Sequence, residues 1–273
     1  CHHTGFGRAD LWRMFSGPRY ARYYRELAEV HDVEIRTSTT IMGWENPSTL
    51  SFTSPIGLGK IEAGAVLLAT GVRERPRSAR LIPGTRPPGI YTTGSLQRFV
   101  YQEHLPVGKR AAIIGAELVS LSALMTLMHA KIECLMMTTE ESTHQIQFPY
   151  IFMKWAVADI LFRTPIITNA RITNIFGQKR VEGIEITHKN RQTNIVDCDT
   201  VIFTGDWIPE NELARLGGLA IDPITHGPRI DAEFQSSTKG VFVAGNLLRG
   251  VETADHCSLE GVKAGRAIAK YLK

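Results

Sequence analysis

The feature that most constrains the fold is a strand–turn–helix–strand pattern centred on Gly115. Residues 109–114 form a short apolar run that predicts a buried strand, residues 118–130 predict a helix, and residues 131–137 predict a second strand. A glycine between a buried strand and a helix is typical of the G-x-G-x-x-G fingerprint that binds dinucleotides. The pattern therefore predicts a Rossmann-like unit in the middle of the chain.

This fingerprint is altered at its second and third glycines. Glu117 stands where a glycine lets the backbone approach a diphosphate, and Ser120 stands where helix and strand pack closely. Two like charges about 4 Å apart oppose each other by several kcal/mol at an effective dielectric constant of about 20. We therefore expect Glu117 to weaken an NAD-type site that begins at Gly115.

A second carboxylate position follows the second predicted strand. Glu140 and Glu141 stand near the place where an acidic residue holds the ribose of NAD. No arginine or lysine adjoins them in the sequence, which favours NAD over NADP. The alternative interpretation is that both are exposed loop carboxylates.

Three further apolar runs end in small residues and predict buried parallel strands. They cover residues 65–71, 200–205 and 240–246 and end in Thr70-Gly71, Thr204-Gly205 and Gly245-Asn246. Ligands of open parallel sheets lie at the carboxyl ends of strands, and glycine there exposes the backbone to a ligand. Each ending has a tight turn as its alternative, but three together indicate ligand sites.

The last predicted helix covers residues 254–272 and begins beside one of these endings. Thr253, or else Asp255, is placed to cap it, so that its free N–H groups face the carboxyl edge of the sheet. Asn246 either donates to a phosphate or ribityl oxygen or caps its own loop. Cys257 is either a thiol of lowered pKa or a small buried residue.

The rest of the chain predicts further helices and antiparallel strands. Helices are predicted from Gly17 to Val30 and over residues 94–105 and 148–162, and strands over residues 33–41, 50–54, 60–62, 166–175 and 181–187. The arginine- and proline-rich residues 73–88 predict an exposed crossover.

Composition excludes several classes of function. The net charge of +4 comes without a run of lysines and arginines, which favours a solvated basic surface over nucleic-acid binding. No apolar stretch reaches the ~20 residues of a membrane-spanning helix. The four cysteines are too scattered for a redox disulfide or a zinc site, and they suit a reducing cytoplasm. No metal site is predicted.

Several separated segments carry a resemblance to known proteins. Residues 3–7, 71–75, 82–87, 205–213 and 241–255 resemble flavoproteins of the pyridine nucleotide-disulfide oxidoreductase class. The most similar branch holds the alpha subunits of hydrogen cyanide synthase, opine oxidase and dye-linked proline dehydrogenase. The resemblance implies an α/β fold of two Rossmann-like dinucleotide-binding units. It places an NAD(P)-type unit, residues 107–212, inside an FAD-binding unit formed by residues 1–106 and 213–273.

The resemblance also implies which residues hold the cofactors. FAD would be lined by Ala69, Thr70, Gly71, Gly245, Asn246, Thr253 and Ala254, and the NAD-type site by Gly115, Glu117 and Glu140. A helix amino terminus at the pyrimidine edge of a flavin would stabilise its reduced anion by about 0.3–1 kcal/mol, and up to ~2 when partly buried. The class's amino-terminal fingerprint would precede Cys1, so this chain alone is expected to bind FAD weakly or not at all. No disulfide pair of the class is present, so disulfide reduction is not expected.

The expected function is an FAD-dependent oxidoreductase, or a subunit of one. It would oxidise an amine, amino acid or opine-like substrate and pass electrons to an acceptor, a second flavoprotein or a small iron–sulfur protein. The flavin itself carries hydride chemistry, so no catalytic residue is predicted. The alternatives are a non-catalytic nucleotide-binding scaffold subunit and an inactive truncated fragment.

Overall fold

The computed structural model describes residues 4–146 and 163–273, which form two compact units. The central unit is Glu74–Asp206, and the flanking unit comprises the described residues up to Arg73 together with Trp207–Lys273. The sequence placed these boundaries at 106/107 and 212/213. The central unit begins earlier because the strand at Ile90–Thr92 joins its sheet and the helix at Thr93–Tyr101 joins its core.

The described residues contain the following regular elements. The helices are α1 (Gly17–Val30), α2 (Thr93–Tyr101), α3 (Leu118–His129), α4 (Glu212–Leu216) and α5 (Ala254–Tyr271). The strands are β1 (Thr4–Phe6), β2 (Phe15–Ser16), β3 (Thr40–Asn46), β4 (Thr49–Ser54), β5 (Gly57–Glu62), β6 (Val66–Leu68), β7 (Val72–Glu74), β8 (Ile90–Thr92), β9 (Arg110–Ile114), β10 (Glu133–Thr138), β11 (Ile166–Ile167), β12 (Ala170–Phe176), β13 (Gly183–His188), β14 (Thr193–Val196), β15 (Thr200–Phe203), β16 (Trp207–Pro209) and β17 (Val241–Val243).

A parallel sheet in the order β11–β10–β9–β15–β8 forms the centre of the central unit. The succession β9–α3–β10 reproduces the predicted strand–turn–helix–strand pattern. Along β9, Ala111 and Ile113 pack with the core of α2 and α3, whereas Ala112 packs with the core under β12 and β13. From Ala111 to Ile114 the strand is apolar because both of its faces are covered.

Each unit also contains an antiparallel meander. In the central unit β12, β13 and β14 pair in succession, and in the flanking unit β3, β4 and β5 do the same. The predicted strand over residues 166–175 is wrong at its start, because β11 pairs parallel with β10. The chain turns at Asn169, whose φ is +52° and whose N–H donates to the carbonyl of Glu141, before β12 begins.

One predicted strand of the flanking unit is displaced. Residues 33–39 alternate in polarity but form no strand, and β3 begins at Thr40. Val33 and Ile35 are 54% and 50% exposed, so this alternation faces no core. The predicted helix over residues 148–162 lies outside the described residues. Among the helices that are described, none has the length and apolar character needed to cross a bilayer.

The core of the central unit gives a test of the fold. Leu124 of α3 is fully buried, whereas Met128, one turn further along, is 42% exposed. Leu124→Ala should lower the free energy of unfolding by about 2–5 kcal/mol, because it removes buried methyl groups and leaves a cavity.

Urea denaturation followed by circular dichroism measures this change. Met128→Ala is the matched control on the same helix and should cost less than about 1 kcal/mol. Equal losses for the two variants would contradict the packing described for α3.

Candidate functional site

Two strand ends of the flanking unit lie side by side. β6 and β17 pair in parallel, with Leu68 opposite Val243, and the N–H of Ala244 donates to the carbonyl of Leu68 at 3.1 Å. Since parallel strands end at the same edge of a sheet, residues 69–71 lie beside residues 245–246. The structure thus brings together the two segments that the sequence assigned to one ligand.

Two glycines give this edge an open backbone. Gly71 has a φ of +77°, and no atom lies within 4 Å of the place where its Cβ would stand. Gly245 has a φ of +75°, and the nearest atoms to its missing Cβ belong to Cys257, 3.8 Å away. Glycine is required by both backbone conformations, and at Gly71 it also leaves room for a ligand.

The polar side chains at this edge bind the protein's own backbone. The Thr70 hydroxyl donates to the carbonyl of Glu210 at 2.7 Å. Asn246 Oδ1 accepts the N–H of Glu252 at 2.6 Å, and its Nδ2 lies 3.4 Å from the same residue's carbonyl. Of the two interpretations of Asn246, this geometry is that of a loop cap.

The first turn of α5 is left without a side-chain cap. Thr253 occupies the N-cap position, as the sequence predicted, but its hydroxyl lies 3.1 Å from His256 Nδ1 and makes no capping bond. The N–H groups that begin at Ala254 are therefore left for another acceptor. Burial raises the pKa of the Cys257 thiol, which makes it an unreactive residue at neutral pH.

These features fit a flavin. An open backbone at Gly71 and Gly245 suits the close approach of a flat ring, and the uncapped start of a helix suits an electron-rich edge. Thr70 and Asn246 bind backbone groups beside the strand ends, Ala69 is exposed directly after β6, and Ala254 begins the helix. None of the residues that the sequence assigns to FAD has a charged side chain.

The corresponding edge of the central unit is filled by its own side chains. Gly115 ends β9 with a φ of +142°, and a Cβ there would stand 1.9 Å from Thr204 Oγ1 and 2.8 Å from Glu117 Oε2. A Cβ on Gly205 would stand 3.0 Å from Glu117 Oε1. The Glu117 carboxylate therefore lies over both glycines, where the backbone of a dinucleotide-binding turn would meet a diphosphate.

Ser120 joins α3 to β15. Its hydroxyl is within 2.8 Å of Thr204 Oγ1, and it accepts the N–H of Glu117 at 3.2 Å. Ser120 is fully buried. The extra bulk of Ser120 is thus accommodated by a hydrogen bond between helix and strand.

Arg80, which lies in the segment predicted as an exposed crossover, contacts the same edge of the central unit. Its guanidinium donates to the carbonyls of Arg75, Thr204 and Gly205 at 2.8–2.9 Å and lies over the Phe203 ring. The side chain is 14% exposed, so this part of residues 73–88 is not the exposed crossover that the sequence predicted. The composition of the segment predicted exposure to solvent, because two of the three carbonyls that bind Arg80, those of Thr204 and Gly205, are distant in sequence.

A buried carboxylate that the sequence did not indicate lies in the same unit. Glu74 Oε2 accepts the N–H of Gly94 at the start of α2, while its Oε1 is buried without a hydrogen-bond partner. Burial raises the pKa of Glu74, and the charge of Glu117 adds to that rise. Glu117 Oε1 is likewise buried, and among the described residues neither of these two oxygens has a hydrogen-bond partner. An anionic ligand would meet the Glu117 carboxylate here, while the Arg80 guanidinium on the same edge already donates to three backbone carbonyls.

Glu140 lies in a neighbouring cleft of about 660 Å³. The cleft is bounded by the ends of β9 and β10 and by the start of β12, and its charged lining residues are Arg75, Arg80, Glu140, Arg171 and Asp206. No arginine or lysine adjoins Glu140 in the sequence, which is why the sequence favours NAD over NADP. In the fold Arg171 lines the same cleft as Glu140, so the surroundings of Glu140 do not favour NAD over NADP.

The central unit does not fit a dinucleotide diphosphate. The space beside Gly115 and Gly205 holds the Glu117 carboxylate, whose charge has the same sign as a diphosphate. The structure brings Gly115 and Glu117 together, and it places Glu140 on the adjoining cleft, which Arg80 also lines.

Comparison with known proteins agrees with this two-unit fold. The family model of the pyridine nucleotide-disulphide oxidoreductases matches residues 21–261. The chain belongs to this family. The family consists of FAD-binding oxidoreductases in which NAD(P) is commonly involved, so the predicted fold class, enzyme class and cofactor are confirmed at the level of the family.

Individual relatives are distant. Sarcosine oxidase subunit alpha from Rhizobium meliloti (strain 1021) is 22% identical over 262 residues, which is 90% of this chain and 24% of the relative. The chain thus spans about a quarter of that relative's length.

Two solved structures share the fold. Bacillithiol disulfide reductase from Bacillus cereus matches with a TM-score of 0.75 and 16% identity, over 99% of this chain and 85% of its own. Thioredoxin reductase from T. acidophilum matches with a TM-score of 0.73 and 16% identity, over 94% of this chain and 81% of its own. In the described part of this chain the cysteines are Cys134, Cys198 and Cys257, and all are unpaired.

The closed edge of the central unit gives a direct test. Glu117→Gly should raise the affinity for NAD⁺ at least tenfold, equivalent to about 1.4 kcal/mol, because it removes both the bulk and the charge beside Gly115. Isothermal titration calorimetry of NAD⁺ into the two proteins measures this difference.

Glu103→Gly is the matched control, because it removes the same charge from the same unit at an exposed position that is not part of the predicted nucleotide site. It should leave NAD⁺ affinity within about twofold of the parent. If the parent already binds NAD⁺ as tightly as Glu117→Gly, the role assigned to Glu117 is wrong.

Proposed function

We propose that this chain is part of an FAD-dependent oxidoreductase that oxidises an amine, amino acid or opine-like substrate. Electrons leave for an acceptor, a second flavoprotein or a small iron–sulfur protein rather than for NAD(P). Within the family we place the chain nearest the alpha subunits of hydrogen cyanide synthase, opine oxidase and dye-linked proline dehydrogenase.

The observation that carries this proposal is the contrast between the two strand edges. In the flanking unit Gly71 is open and faces no side chain. In the central unit Glu117 lies against both Gly115 and Gly205. A family member whose nucleotide site is closed in this way needs an electron source or acceptor other than a pyridine nucleotide.

FAD supplies the hydride-accepting centre when bound. The residues of this chain position and shield it: Gly71 and Gly245 provide backbone surface, and the first turn of α5, from Ala254, provides N–H donors. Thr70 and Asn246 support these segments through Glu210 and Glu252. We name no residue of this chain as a proton donor or acceptor.

The substrate class rests on the resemblance and on one relative. The sarcosine oxidase relative is, by its name, a subunit of an enzyme that oxidises an N-methylated amino acid. Its description as a subunit also supports partner proteins. We further propose a cytoplasmic location, because the scattered cysteines suit a reducing compartment.

A second candidate function is a non-catalytic scaffold subunit. The Glu117 carboxylate at Gly115 supports it, since a subunit that catalyses no reaction does not need an open nucleotide site. The two functions differ in whether a bound flavin is reduced by substrate.

The flavin site is tested by one glycine and a matched control. Gly71→Ala should weaken FAD binding at least tenfold, because a methyl group would enter the space assigned to the ring. Gly218→Ala is the control, since Gly218 has a φ of +68°, open space around its Cβ position and a place in the same unit.

Both variants should lose similar stability, because an alanine at positive φ is strained by about 1 kcal/mol or more. Only Gly71→Ala should lose FAD affinity, measured by fluorescence titration of FAD into each protein. Equal FAD affinities for the two variants would remove Gly71 from the flavin site.

Substrate oxidation is tested on protein loaded with FAD. Under anaerobic conditions, N-methylglycine, proline or an N-carboxyalkyl amino acid should bleach the flavin absorbance, and the matching quaternary amine should not. A protein that binds FAD but is bleached by none of these compounds is the scaffold subunit of the second candidate function. A full-length protein that takes up no FAD contradicts both.

A further inference from the structure

A buried carboxylate connects the start of α5 to the amino-terminal segment of the flanking unit. Asp255, in the first turn of α5, is 6% exposed. Its Oδ1 accepts the N–H of Gly7 at 3.0 Å, and its Oδ2 accepts the N–H of Ala9 at 2.9 Å. Both carboxylate oxygens are therefore used to hold one short loop, residues 7–10, on the helix.

A second set of hydrogen bonds fastens the end of the same loop. Asp10 Oδ2 accepts the hydroxyls of Tyr20 and Tyr24 at 2.5 and 2.6 Å, and Tyr24 lies 2.5 Å from the Ser258 hydroxyl. Burial would raise the pKa of Asp10, but the two tyrosine hydroxyls hold it below its usual value. The 7–10 loop is thus bound to α5 at Asp255 and, through Tyr24, one turn further along at Ser258.

The conformation of the loop depends on Gly7. Its φ is +85°, and its carbonyl accepts the N–H groups of Leu11 and Arg13 at 3.1 and 3.0 Å. A Cβ there would stand 3.0 Å from the Phe15 ring. Gly7 belongs to residues 3–7, a segment that carries part of the family resemblance, and this packing gives that segment a physical role.

The helix turn that receives the loop is the one assigned to the flavin. Cys257 of this turn contacts the position of the Gly245 Cβ, and Asp255 lies two residues before it. Asp255 brings a negative charge to the first turn of α5, whose N–H groups by themselves favour a reduced, anionic ring. A negative charge at this place makes reduction of the ring harder.

We propose that the 7–10 loop forms one wall of the flavin site, and that Asp255 is the positioning residue that holds this wall and lowers the reduction potential of bound FAD. This inference rests on the proposed function. Asp255 and residues 7–10 are not among the residues that the sequence predicts to line FAD.

Asp255→Asn separates the two effects of the carboxylate. The amide keeps one acceptor for Gly7, loses the acceptor for Ala9 and removes the charge. In hydrogen exchange, the Ala9 amide should lose protection at least tenfold. The reduction equilibrium of bound FAD should shift toward the reduced form by about tenfold, which is about 30 mV for a two-electron couple.

Tyr24→Phe provides the comparison without a change of charge. It removes the hydroxyl that joins Asp10 to Ser258, so the loop should lose protection and FAD should dissociate faster, while the potential stays at its wild-type value. Glu26→Gln, at an exposed position of α1, is the control for net charge and should change none of these quantities. Tyr24→Phe also keeps the test available if Asp255→Asn does not fold.

The outcomes are distinct when all four proteins are full chains titrated with FAD. An Asp255→Asn potential equal to that of Glu26→Gln overturns the inference, and so does an equal shift in Tyr24→Phe, because charge would not be the cause. Unchanged protection of the Ala9 amide in Asp255→Asn also overturns it. A full-length wild-type protein that takes up no FAD overturns the proposed function and this inference together.

Discussion

Parallel pairing of β6 with β17 is the constraint on which the flanking unit depends. Parallel strands end at a common edge, so two segments that are far apart in the sequence, 69–71 and 245–246, are forced to lie together. The open glycine backbone, the loop capped by Asn246 and the uncapped start of α5 all occur at that edge. The pairing thus forms the site from two short segments, one directly after each strand.

In the central unit the same strand geometry leaves no open glycine backbone at the edge. Its β9 and β15 also end at a common edge, marked by Gly115 and Gly205, but the Glu117 carboxylate covers both glycines. The Ser120–Thr204 hydrogen bond and the Arg80 guanidinium complete the closure. A Rossmann-like unit can therefore keep its strands and its helix while its ligand position is taken by the chain itself, since packing and ligand binding depend on different residues.

Much of this architecture is predictable from the sequence because apolar periodicity reflects burial. The β9–α3–β10 unit, the strand endings and the start of α5 at Thr253 were all predicted from local patterns. Residues 33–39 were predicted wrongly because alternation alone does not say whether a core lies opposite, and Val33 and Ile35 face solvent.

The site was less predictable where it depends on long-range contacts. Arg80 was assigned to an exposed segment, yet its partners are carbonyls at the end of β15. The sequence predicts Asp255 only as an alternative helix cap, but its carboxylate accepts hydrogen bonds from the N–H groups of Gly7 and Ala9. Neither contact leaves a signal in the neighbouring sequence, because both join residues more than a hundred positions apart.

The measurement that tests the account most directly is anaerobic titration of the FAD-loaded protein with NADH. The account predicts that NADH reduces the bound flavin no faster than it reduces free FAD, because Glu117 occupies the place of the nucleotide diphosphate. Stoichiometric and rapid reduction of the bound flavin by NADH would contradict it.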